Sequence, residues 1–137
     1  MMGYEMMQKY REQYLETQVQ TASPQELVLM LYDSAIKQGR MACRAIEKKD
    51  YEKSHRSLVR MQDILHALID GLDHTIPLAQ NLYALYDFML HELIVANTKK
   101  DVQKVENILE LLVDLRETWA QALERHRQEK SSMSTFS

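Results

Sequence analysis

Apolar residues recur at three- and four-residue steps along four stretches of this chain, with short polar breaks between them. That is the period of an amphipathic helix. Ser23-Pro24-Gln25-Glu26 opens the first stretch. Ser23 can cap, Pro24 suits a first turn where its missing N–H is not needed, and Glu26 completes a capping box. Leu27, Met30, Leu31, Ser34, Ala35 and Gln38 then mark one face, with Val28, Tyr32 and Ile36 beside it, to about Lys48. Asp50 predicts the next N-cap, ahead of a stripe of Leu58, Met61, Leu65, Leu68 and Leu72. Gly71 to Pro77 gathers Gly, Asp, Thr and Pro and predicts a break. A third helix follows from about Ile76 to Thr98. The fourth runs from an Asp101 cap to about Arg125, its stripe being Val105, Ile108, Leu112, Leu115, Trp119 and Leu123.

Four helices of roughly 20 residues joined by short connections predict an all-α, antiparallel four-helix bundle over residues 23–125. Residues 1–22 form a separate segment, with Met2, Met6, Met7, Tyr4, Tyr10 and Tyr14 crowded at its front and a polar joint behind. Residues 126–137 end in a run without periodicity and are expected to be a disordered tail.

Two of these helices carry more apolar surface than one stripe requires. In the third, Leu82, Leu85, Met89 and Leu93 make one stripe, and Tyr83, Tyr86, Leu90, Ile94 and Asn97 make a second beside it. In the first, Leu27-Val28-Leu29-Met30-Leu31-Tyr32 is apolar throughout. A peripheral bundle helix needs only one stripe, so something must cover the other. The Met/Tyr segment at the front of the chain, a second copy in a homodimer, or a partner helix in a groove could each do so. Met suits a surface that repacks between partners; ordinary core packing, with hydroxyls reaching the rim, accounts for the tyrosines equally well.

Composition narrows the function classes. The 137 residues are 45% hydrophobic and 27% charged, with 17 Lys and Arg against 20 Asp and Glu, a formal charge of -3. That balance argues against a nucleic-acid binder, which needs a basic face. No run approaches the length of a transmembrane helix, and the N-terminus lacks a signal-peptide pattern. A cytoplasmic protein with no membrane insertion is expected. The single Cys43 excludes an internal disulfide and fits a reducing compartment.

No phosphate loop or nucleophile elbow occurs, so no enzyme is expected. A metal-binding, ferritin-like bundle is the alternative from another class, because such centres use Glu-x-x-His pairs on two helices. Glu52-x-x-His55 and the related Asp63-x-x-His66 share one helix, however, and solvated or half-buried histidines are the plainer account of them. His66, Asp70 and His74, and the pair Asp87 and His91, read as surface i,i+4 support. No cofactor is expected.

In order along residues 7–122 stand Thr21-Ala22-Ser23-Pro24-Gln25-Glu26-Leu27, Met30-Leu31-Tyr32-Asp33, Ala45-Ile46-Glu47-Lys48-Lys49-Asp50, Asn81-Leu82-Tyr83-Ala84-Leu85-Tyr86-Asp87, Ala96-Asn97 and Leu115-Arg116-Glu117-Thr118-Trp119. With these the chain resembles the flagellar secretion chaperones for flagellin, the FliS family. The resemblance implies a bundle with a mobile N-terminal cap and no enzymatic activity. It implies binding of the disordered C-terminal segment of flagellin, a block on premature polymerisation, and delivery to the flagellar type III export gate protein. An adaptor role toward a flagellar regulatory protein is a further alternative.

Met7 and Tyr10 match the family's N-terminal pair, associated with cap placement and gate docking. The partner-binding set expected from the second stripes is Val28, Tyr32, Ile36, Tyr83, Tyr86, Leu90, Ile94 and Asn97, with Met7 and Tyr10 in the cap. Cap and client are expected to compete for one groove; unchanged client affinity after deletion of residues 1–17 would count against that. Two departures stand out. Ser34 replaces a Gly common after the Tyr-Asp of the first helix, and His91 replaces a basic residue, which makes any ion pair there pH-sensitive.

Overall fold

Ser23 accepts a hydrogen bond from the Glu26 N–H (3.2 Å), with Pro24 in the first turn, and α1 (Pro24–Glu47) starts there. The structure, a computed structural model, describes residues 22–135. Three further helices follow: α2 (Tyr51–Asp70), α3 (Pro77–Lys99) and α4 (Val102–Thr135). No strand occurs among the described residues. Met7 and Tyr10 lie outside them.

Both sharp reversals use the tripeptide Lys-Lys-Asp. Lys49 (φ 59°) and Lys100 (φ 53°) adopt the left-handed conformation that ends a helix. The next N–H reaches back in each case, Asp50 to the Ala45 carbonyl (2.8 Å) and Asp101 to the Ala96 carbonyl (3.0 Å). The same aspartates then cap the following helices. Asp50 Oδ1 accepts from the Lys53 N–H, and Asp101 Oδ1 from those of Gln103 and Lys104. Between α2 and α3 the chain runs through Gly71–Ile76, where Asp73 accepts from both the N–H and the hydroxyl of Thr75. Those two bonds hold the Asp73 carboxyl below its ordinary range.

The helices pack in ring order, α1 against α2 and α4, and α3 against the same two neighbours. Antiparallel contacts join α1 to α4: Trp119 Nε1–H donates to the Gln25 carbonyl (2.8 Å), Arg116 meets Asp33 (2.8 Å) and Arg127 meets Glu26 (2.8 Å). The expected reciprocal arm of the capping box is therefore replaced by a tie between helices. Arg127 also marks a boundary difference. The expected fourth helix stops at about Arg125, whereas α4 continues to Thr135. Residues such as Glu124, Arg125, Gln128, Glu129 and Lys130 have high helix propensity without an apolar stripe, so periodicity does not reveal them.

On α2 and α4 the core follows the expected stripes, but α1 buries Tyr32 and Ile36 from beside its expected face, of which only Ala35 is buried. Leu58, Met61, Leu65 and Leu68 of α2 and Val105, Ile108 and Leu112 of α4 are buried. In α3 the buried line is Ala79, Tyr86, Met89, Leu90, Leu93 and Ala96, which takes members from both sequence stripes. α1 comes close to its neighbours at Gly39, while Ser34 is exposed. A Cβ on Gly39 would stand 2.5 Å from Leu109 Cδ2 and 3.0 Å from Met61 Cε.

Candidate functional site

The apolar surface that the core leaves over is concentrated on α3 and the loop before it. Ile76, Leu78, Tyr83, Phe88 and Ile94 are all about half exposed, Ile94 at 52% and Tyr83 at 45%. A helix needs one buried stripe; this one is apolar on its flanks as well. On α1, Leu27 to Leu31 are all half-buried, so its first two turns also present apolar surface beside the core.

Between these elements lies a cleft of about 340 Å³ at one end of the bundle. Pro24 and Val28 of α1, Leu72 of the loop, Leu82 of α3 and Trp119 of α4 line it, with Tyr32 and Tyr86 at its floor. The two tyrosine hydroxyls hydrogen-bond each other across the bundle. Burial pushes the Tyr86 phenol well above its ordinary value, and the bond to Tyr32 adds to the rise. Burial raises Tyr32 too, with the bond to Tyr86 opposing it.

This pair gives a stability prediction. Tyr86→Phe alone strands the Tyr32 hydroxyl and should cost about 1–3 kcal/mol, while the double replacement by Phe should cost less than the sum of the two singles. Denaturant titration of the three variants measures it. Because both phenols hold their protons more tightly when folded, their contribution is full below the ordinary phenol value of about 10 and is lost as pH rises above it. The double variant should therefore show a shallower alkaline loss of stability.

The expected site residues fall into three groups. Tyr32, Ile36, Tyr86 and Leu90 are buried in the core cluster. Val28 and Asn97 are half-buried. Tyr83 and Ile94 are exposed, with the His74 and Tyr83 rings in an edge-type contact at 6.5 Å between centroids. Asn97 joins α3 to α2: its Nδ2 donates to His55 Nδ1 (2.8 Å) and its Oδ1 accepts from Lys100 Nζ (2.5 Å). Phe88, Leu78 and Ile76 were not in the expected set. Their signal was the excess of apolar residues from Ile76 through Val95, which periodicity alone divides into two stripes and no more.

Other chemistry is accounted for locally. Glu52 pairs with Arg56 (3.0 Å) while His55 engages Asn97, and no three metal-binding side chains converge among the described residues. The Cys43 thiol is pushed up to about 11 by burial and by the Glu106 and Glu47 carboxylates, a setting for an inert cysteine. His91 Nδ1–H donates to the Asp87 carbonyl (2.8 Å). None of the described helices is long and apolar enough to cross a membrane.

Comparison with known proteins agrees with this architecture. The family described as Flagellar protein FliS matches residues 6–126. The flagellar secretion chaperone FliS of Bacillus subtilis (strain 168) is 35% identical over 117 residues, spanning 85% of this chain and 88% of that protein. Its counterpart from Salmonella typhimurium (strain LT2) is 33% identical over 115 residues, spanning 82% and 85%. A crystal structure of a flagellar chaperone from bacteria shares the fold at a TM-score of 0.71 and 21% identity, covering 87% of this chain and 98% of that one. By bundle, motif order and sequence, this chain belongs to the FliS family of flagellar secretion chaperones.

Proposed function

We propose that this chain holds the C-terminal segment of flagellin, prevents its premature polymerisation and delivers it to the export gate in the cytoplasm. The observation that carries the reading is α3, whose exposed Tyr83, Phe88 and Ile94 flank a buried stripe that already satisfies the bundle. A disordered segment that becomes helical on such a surface covers much area yet remains releasable, because its ordering entropy offsets part of the contact energy.

Within the expected set, Tyr83 and Ile94 offer direct contact, Val28 and Asn97 the margins, and Tyr32, Ile36, Tyr86 and Leu90 the floor beneath. Met7 and Tyr10 belong to the cap that the client displaces, and they also serve gate docking. The chemistry is non-covalent throughout; binding and release are the whole activity.

The experiment is a polymerisation assay. Equimolar full-length protein added to monomeric flagellin should stop seeded filament growth, followed by light scattering. Growth at the unassisted rate, with the bundle folded, would refute the proposal.

A further inference from the structure

The charge of this protein is unevenly placed. Residues 37–60 hold eight Lys and Arg against three Asp and Glu, whereas the rest of the chain holds nine against 17. A chain of formal charge -3 thus concentrates positive charge on the hairpin formed by α1 and α2.

The cations share a side. Lys37 and Arg44 of α1 and Lys48 at its C-cap stand seven and four residues apart, away from the buried positions Ala35, Gly39, Ala42 and Ile46. Lys53, Arg56 and Arg60 stand three and four apart on α2, away from the His55 flank that meets α3. All six are exposed. Only Arg56 has a carboxylate partner among the described residues, Glu52.

We infer that this outer face of the α1–α2 hairpin is a landing surface for an anionic lipid bilayer, bound peripherally and without insertion. Two features favour a planar array of anions over a single acidic peptide. The cations extend over about 17 Å of α1, a span suited to a surface of many headgroups. Small buried residues, Gly39, Ala42 and Ala45 against Ser54 and Ser57, let the two helices approach closely, so the cations of both helices stand side by side. The ring order also places α1 diagonally from α3. A chain resting on its basic face therefore keeps α3 on the opposite side of the bundle from α1. The inference stands on charge placement and does not depend on which client the chain carries.

Sedimentation of the full-length protein with vesicles of phosphatidylglycerol and phosphatidylcholine, compared with pure phosphatidylcholine vesicles, tests it. The mixed vesicles should bind at low salt and release as salt rises, and the neutral vesicles should not bind. Each cation near an anionic surface strengthens partitioning about fivefold, so K37Q/R44Q/R60Q should weaken it roughly a hundredfold. That variant should keep the wild-type melting curve and flagellin affinity, and Lys99→Gln at the end of α3 should bind vesicles as the wild type does. Absence of binding to the mixed vesicles at low salt would overturn the inference, as would binding that survives the triple substitution. Capture of poly-glutamate in place of vesicles would assign the face to an acidic protein and overturn it equally.

Discussion

Gly39→Val should lower the stability of the bundle by about 3 kcal/mol, at the upper end of the usual cost of overpacking. The reason is local. α1 meets α2 and α4 at this glycine, where a bare Cβ would already stand 2.5 Å from Leu109 Cδ2 and 3.0 Å from Leu109 Cγ and Met61 Cε. Ala would add only that atom. The ends of Leu109 and Met61 can give way, and the gain in helix propensity of about 1 kcal/mol offsets much of the strain. Val adds two methyl groups in one preferred rotamer and has no such relief. Thermal melts of the two variants should thus differ sharply, with Val lowering the midpoint by roughly 10 °C and Ala by much less. Equal small shifts would mean that α1 is not held at this distance.

The second large effect concerns binding. Tyr83→Asp combined with Ile94→Asp should weaken flagellin binding roughly a hundredfold, since each half-exposed side chain loses about half of the 1.5–3 kcal/mol that full apolar burial brings and each adds a carboxylate that resists desolvation. Both side chains are about half exposed, so the fold should survive. Tyr86→Asp, by contrast, would place a charge at a position 2% exposed and unfold the protein. Isothermal titration of the double variant measures the effect. Undiminished affinity, with loss in Phe88→Asp instead, would move the client to the other flank of α3 and contradict the site proposed here.

Helix number, order and turn chemistry could be read from the chain because each is locally encoded. Ser23, Asp50 and Asp101 cap as their positions predict, and the single-stripe helix α2 buries the leucines it should. Difficulty began where a helix is apolar on more than one side. Periodicity separated Tyr83 and Tyr86 from Leu82 and Leu85, but the core line passes between the two stripes and takes Tyr86 and Leu90 with it. Which flank of α3 remains outside depends on how α2 and α4 approach, and that is a tertiary property. The end of α4 was hidden for the opposite reason, because a polar helix tied by Arg127 to Glu26 carries no stripe. Gly39 could not be distinguished by local pattern either, since its role is set by Leu109, 70 residues away in the sequence.

The most direct test of the account is calorimetric titration of the full-length protein with flagellin, intact and with its C-terminal segment removed. The account predicts stoichiometric binding to the intact monomer that disappears with the truncation. No heat with intact monomeric flagellin, or equal binding without the segment, would contradict it.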